Sequence, residues 1–234
     1  MSDTPKPRSR RPRGSLTPSV VLDAAEVVAA QGFDALSVRA VAARLGAAPM
    51  ALYNHFATKE ELVDGLLDRV LGRFEAGPAG EDWVEDLRGF ARAHRRLLAD
   101  HPWAVAPLVA RPNPGMGAVR IGEHALGILR RGGLSGDRAV AAFSGVVALN
   151  YGWSAFTAAR ARSPDGLGAD VSATLVALPP GDFPLTVAVA GPMGAYGSDE
   201  HYEFALDQLL AGLRATAGSS PPLASSRYDA GSRS

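Results

Sequence analysis

From residue 17 onward apolar residues recur every three or four positions, and Gly, Pro, Ser and Thr cut the series into successive helices. Thr17 offers an N-cap oxygen, and Pro18 suits the first helical position, whose N–H has no intrahelical partner. Val20, Val21, Ala24, Val27 and Val28 then form one stripe. Gly32 is expected to close this helix in a left-handed C′ conformation, with Phe33 and Leu36 packing beneath it. Ser37 caps a second helix with Val38, Val41, Ala42 and Leu45 inward, and Gly46 supplies the positive φ from which a third leaves steeply. The third is short, 49–56, with Leu52 and Phe56 toward the core and Met50, Tyr53, Asn54 and His55 elsewhere on its surface. Thr58 and Glu61 form a capping box that launches a fourth helix through Leu62, Leu66, Leu67, Val70, Leu71 and Phe74.

Beyond residue 80 the pattern stays helical. A helix over 81–99 presents Trp83, Leu87, Phe90, His94, Leu97 and Leu98; the segment with Pro102, Pro107, Pro112 and Pro114 reads as a connection to a helix over 116–131. The next helix, 135–160, is apolar on nearly every side (Ala139, Val140, Phe143, Val146, Val147, Leu149, Phe156), so other protein must cover it. Residues 161–197 are rich in Gly and Pro and read as a long connection, mobile or functional, with one short helix near 184–190. Ser198 starts a last helix over 199–217. With no alternating strand pattern, the fold class is all-α. It divides into a disordered basic arm (1–16), a three-helix segment with the build of a helix-turn-helix (17–58), a helical body (59–217), which the resemblance given below implies to be a ligand-binding and dimerisation domain, and a disordered tail (218–234).

Composition adds boundaries. An apolar fraction of 47% is ample for a buried core, and the absence of cysteine excludes disulfides, thiol nucleophiles and cysteine-ligated zinc. Net charge is zero, yet residues 1–59 carry eight Lys or Arg against four acids, so a basic head precedes an acidic body. No charged-then-apolar leader and no uninterrupted apolar run of about 18 residues is present, which predicts a cytoplasmic protein without a membrane span. Neither a nucleophile elbow nor a phosphate-cradling Gly loop occurs, so no enzyme is expected. His94, His101, His124 and His201 lack metal-ligand spacing; no metal and no cofactor is predicted.

Two short helices about a tight Gly turn, followed by an amphipathic segment, are the build of a DNA-reading head. Eight residues rise about 12 Å, roughly the width of the major groove. Tyr53 can donate its hydroxyl to a phosphate, and Lys59 with the N–H groups after it can grip the backbone, contacts that position without reading sequence. Asn54 and His55 can hydrogen-bond, although it is residues near the helix start that usually reach base edges, and Met50 and Ala47 can meet a thymine methyl. Thr17, Ser37, Arg39 and Pro49 complete the candidate DNA-binding set. In the opposing reading Tyr53 and His55 lie against the fourth helix, and Arg39 and Arg44 are merely solvated.

Leu36-Ser37-Val38-Arg39, Ala43-Arg44-Leu45-Gly46, Ala51-Leu52-Tyr53-Asn54-His55-Phe56 and Lys59-Glu60-Glu61-Leu62 together resemble the TetR family of bacterial transcriptional regulators. The likeness covers residues 17–70, and Phe204-Ala205-Leu206-Asp207-Gln208-Leu209-Leu210 resembles the last helix of the tetracycline-repressor-like subgroup. One departure is Ala48, where many relatives have a hydroxyl residue; it removes a cap and a phosphate contact.

The resemblance implies a homodimeric repressor on double-stranded operator DNA, released when a small-molecule effector enters the body and shifts the fourth helix. Trp83, Phe90, His94, Trp103, Phe143, Asn150, Tyr151 and Trp153 are the candidate ligand-binding residues, against the alternative that each simply fills the core. Helices 135–160 and 199–217 are the expected dimer interface, and Gly145, Ala148, Gly152 and Ala155 permit close approach of a neighbouring helix, of the same chain or of the partner. An enzyme, or a helical adaptor whose head no longer binds DNA, are the rival readings; the salt dependence of DNA binding separates them.

Overall fold

The computed structural model describes residues 16–111, 115–161 and 167–218. Residues 1–15 of the expected arm and 219–234 of the expected tail lie outside the described residues. Among the described residues the fold is all-α, and contacts divide it into two units. The first takes the described residues up to Glu75, then Ala93–Ile121 and those from Tyr151; the second takes Ala76–Arg92, Gly122–Asn150 and those from Leu167.

In the first unit, α1 (Pro18–Ala29), a 3-10 turn (Phe33–Ala35), α2 (Val38–Leu45) and α3 (Pro49–Tyr53) are followed by α4 (Lys59–Leu71). The caps are those the sequence prescribes. Thr17 Oγ1 accepts from the Val20 N–H at 3.3 Å, Ser37 Oγ from Ala40 at 3.1 Å and Thr58 Oγ1 from Glu61 at 3.0 Å. Glu61 reaches back to the Ala57 N–H at 2.7 Å, closing the box one residue outside its usual place. Val21, Ala25, Leu36, Val41, Leu52, Leu62, Leu66 and Val70 form the core, all nearly inaccessible.

Gly46 sits at φ 63°, ψ 29°, the left-handed turn between α2 and α3. Gly32 departs from expectation. Its φ of 128° with ψ of 146° is not a left-handed helical cap but an extended mirror-side conformation that only glycine enters freely, and it starts the 3-10 turn. Val27, assigned to the core stripe, is 42% exposed, because α1 ends at Ala29 and its last turn presents only Val28 and Ala29 inward. The third helix is also shorter than predicted, ending at Tyr53, and Phe56 is half-buried, its ring beside Gly65. The fourth stops at Leu71, short of Phe74.

Two segments read as connections are helical. α5 (Trp83–Asp100) leads into α6 (Pro102–Ala110), in which Pro102 takes the first position and Pro107 is tolerated inside. Burial of Trp103, Ala104, Val105 and Leu108 outweighs the hydrogen bond that Pro107 forfeits. α7 (Met116–Arg131) and α8 (Gly136–Ala161) match the periodicity.

Within 161–197, α10 (Pro184–Ala188) is the short helix expected near 184–190, whereas α9 (Leu167–Val176) and α11 (Ala190–Met193) stand where only a connection was expected, and α9 packs on α11. The Gly and Pro residues there punctuate short helices rather than abolish them; residues 162–166 lie outside the described residues. α12 (Asp199–Ala217) closes the second unit, capped by Ser198, whose Oγ accepts from the His201 N–H at 3.3 Å.

Candidate nucleic-acid interface and effector residues

The face that α3 turns to solvent is built by what it does not bury. Leu52 alone of this helix is inaccessible, at 2%, whereas Met50 is 72% and Tyr53 43% exposed. Pro49 and Asn54 are exposed too, and Ala47 and His55 are half-buried. Ala48 occupies the N-cap with no side-chain hydrogen bond, so the first N–H groups of α3 lack a side-chain acceptor there. Arg39, on the outer face of α2, and Thr17 are exposed, and Ser37 is half-buried. Lys59, the first residue of α4, is exposed and holds Nζ 5.7 Å from the centre of the Phe33 ring. The structure therefore leaves Met50 and Tyr53 of α3 and Asn54 just after it exposed, with Ala47 and His55 half-buried on either side, between a glycine turn and a capped helix start.

Behind this face, α4 is tied to its neighbours on several sides. Arg69 pairs with Asp23, and Arg73 clasps the Glu26 carboxylate of α1 with both terminal nitrogens. That clasp holds Glu26 below the usual carboxylate range and raises the Arg73 guanidinium. His101 Nδ1 lies 3.0 Å from the Leu97 carbonyl, and its Nε2 is 2.8 Å from Arg73 and 3.6 Å from Glu26 Oε1. Arg111, just after α6, pairs with Asp64 and donates to the Glu60 carbonyl at 3.3 Å.

The tightest approach is to α7. The Gly117 N–H donates to Asp68 Oδ1 at 2.6 Å, and a Cβ at Gly117 would stand 2.7 Å from the Asp68 carbonyl oxygen and 2.8 Å from the Gly72 nitrogen. Sequence reading singled out none of Glu26, Asp68, Arg73, Arg111 and Gly117 as functional, since pairings across 28 to 51 positions leave no local signature.

The candidate effector residues fall in both units. In the first, His94 is 2% exposed with its ring 5.7 Å from that of Tyr151. Burial lowers the His94 pKa to about 4, leaving a neutral imidazole, and raises that of the Tyr151 phenol. Trp103 is buried at the wall of an open groove, and Trp153 is half-buried. Ser154, which the sequence did not single out, is 5% exposed, and its hydroxyl finds no partner among the described residues.

In the second unit, Phe90 packs between His124 at 6.2 Å and Phe143 at 6.5 Å, and Trp83 lies against Gly132. Asn150, fully buried, donates from Nδ2 to the Ala91 carbonyl at 2.9 Å and accepts from the Tyr202 hydroxyl at 2.7 Å. It thereby locks α8 to α5 and α12 through protein groups.

Comparison with known proteins places these features in a wider set. A family model described as bacterial regulatory proteins, tetR family, matches residues 21–66, and one described as tetracyclin repressor-like, C-terminal domain, matches 76–217. An HTH-type transcriptional regulator from Saccharopolyspora erythraea is 33% identical over 90% of this chain and 90% of its own length. The HTH-type transcriptional repressor DrrR1 of Streptomyces coeruleorubidus is 32% identical over 90% of this chain and 82% of its own. Among solved structures, the Streptomyces coelicolor TetR family protein ActR in complex with actinorhodin superposes with a TM-score of 0.79 at 28% identity, covering 88% of this chain and 100% of that one.

Proposed function

Since this chain belongs to the TetR family of bacterial regulatory proteins and is a DNA-binding transcriptional regulator, we propose that it is a cytoplasmic homodimeric repressor that a small molecule releases from its operator. The observation that carries this reading is the accessible face of α3, with Met50 and Tyr53 exposed over a buried Leu52. Tyr53 and Lys59 hold the phosphate backbone, and Met50, Asn54 and His55 meet base edges, with Ala47, Pro49, Ser37, Arg39 and Thr17 around them. The name of the relative DrrR1 supports repression, and the actinorhodin bound to ActR supports a small organic effector.

Pairing is supported by what the single chain leaves uncovered. Only 28% of the most apolar stretch of α8 is buried, although Gly136–Arg160 is long and apolar enough to cross a membrane by length and composition. Asn150 and Ser154 interrupt that stretch, and a second copy covers it better than lipid does. Val140 on α8 is 56% and Phe204 on α12 66% exposed, and both lie on the two helices expected to pair with a second copy. A dimer sets two α3 segments about 34–36 Å apart, one turn of duplex, so a modest change in their separation weakens both contacts.

His94, Tyr151 and Trp153 are the first unit's candidate effector contacts, while Trp103 lines a groove whose walls include none of the three. A neutral imidazole there favours an uncharged polar group over an ion. Movement passes to the head through α4, because α6 and α7 hold it through Arg111, Asp64, Asp68 and Gly117, and α4 holds α1 through Arg69 and Arg73.

Anisotropy titration of a duplex from the promoter of its own gene tests the reading. Affinity falls steeply and linearly with log salt, with a slope set by the number of phosphate contacts. Tyr53→Phe weakens all duplexes alike, whereas Met50→Ala or Asn54→Ala changes which sequence is preferred. Failure to bind any such duplex at low salt would overturn the regulator assignment and favour an adaptor.

A further inference from the structure

A groove of about 730 Å³ opens within the first unit, walled by the 3-10 turn, α6 and the end of α8, with Phe33, Asp34, Trp103, Val109, Ala155 and Ala158 among its lining. We infer that this groove is a second small-molecule site, separate from the His94–Tyr151 pair, and that it takes a lipophilic organic cation.

Its volume lies within the range of about 300–1,000 Å³ typical of small-molecule sites. The walls are aromatic and aliphatic, and Val109 is 59% exposed, a large apolar side chain that gains from being covered. Charge complementarity selects the occupant. Asp34 is the only acidic or basic residue in the lining, and it makes no ion pair among the described residues. Of the other carboxylates of this unit, Asp23 is held by Arg69, Glu26 by Arg73, Asp64 by Arg111 and Asp68 by the Gly117 N–H, whereas Asp34 alone lines the groove. An uncommitted carboxylate at the rim of an apolar groove matches a cation whose charge is shielded by hydrocarbon, because such an ion gives up little hydration on entering.

The groove is also coupled to the head. Phe33 lines it and carries Lys59 over its ring, so an occupant resting on Phe33 competes for the surface that positions this lysine. This coupling rests on the role proposed above for Lys59 at the DNA backbone; binding in the groove does not.

Calorimetric titration of the full chain with tetraphenylphosphonium, and with uncharged triphenylphosphine oxide as its control, tests the site without DNA. The cation binds the wild type, and Asp34→Asn weakens it about fivefold, the upper end for an exposed ion pair, while the oxide's affinity is unchanged. Ala106→Phe, on the exposed lining of α6, abolishes binding of both, with an unaltered thermal melt certifying the fold. No binding to the wild type, or equal loss of cation and oxide in Asp34→Asn, overturns the proposal. So does dissociation of a dimer by Ala106→Phe with ligand binding retained, which makes the groove an interface between copies. With operator duplex present, the cation lowers DNA affinity in the wild type, and about fivefold more cation is needed for the same effect in Asp34→Asn. Binding without that change overturns the coupling alone, and failure to bind DNA at all falls on the regulator assignment.

Discussion

Gly117→Ala puts the transmission route under direct test. The added methyl would stand 2.7, 2.8 and 2.9 Å from the Asp68 oxygen, the Gly72 nitrogen and the Leu71 Cβ, where about 3.5 Å is comfortable. All three neighbours are backbone or backbone-adjacent, so no flexible side chain can yield, and α4 and α7 must part by more than half an ångström, roughly. Overpacking of this kind costs about 1–3 kcal/mol, and the shift also strains the 2.6 Å bond from Gly117 to Asp68.

The displacement falls on the helix that carries the head, so the variant imitates effector-bound protein. Operator affinity drops by at least about fivefold without any ligand, as couplings of 1 kcal/mol or more require. Anisotropy against promoter duplex, normalised to the folded fraction from circular dichroism, reads the effect. A lowered melting temperature with operator affinity untouched would refute α4 as the carrier of the signal.

Three further outcomes follow from named groups. Because His94 titrates near 4 when folded and near 6.5 when unfolded, stability is complete above about pH 6.5 and declines as pH falls to about 4, by about 3 kcal/mol in all; urea titrations across that window show the slope, and His94→Gln flattens it. Tyr202→Phe strips the donor from buried Asn150 and lowers stability by about 1–3 kcal/mol, with DNA affinity per folded protein preserved. Thr58→Ala costs about 1 kcal/mol, and combining it with Glu61→Ala costs less than the two separately, since each completes the other's cap; additive thermal shifts would contradict the reciprocal box.

Elements governed by local chemistry were legible before any coordinates. Thr17, Ser37, Thr58 and Ser198 announce helix starts because the cap is a bond between residues three apart, and each makes that bond. Leu52 and the exposed Met50 follow from the position of Gly46, which aims α3.

α6 was hidden because Pro107 is a helix breaker by local rules, and only the burial of Trp103 and Leu108 overrides it. α9 was hidden by the glycines and prolines on either side of it. Nor could the role of Asn150 be read from α8 alone. Its partners lie on α5 and α12, 59 and 52 positions away, and those bonds make it a strut between helices.

The sparse anchoring of α3 has a bearing on how such a head changes its target. Five residues are too few to be helical by themselves, so the segment owes its order to Leu52 and to the flanking Gly46 turn and α4 cap. Met50, Tyr53 and Asn54 contribute little to that order. Mutational drift at these positions can retune the duplex chosen while the fold stays intact, so a duplicated gene could acquire a new regulon without first becoming unstable.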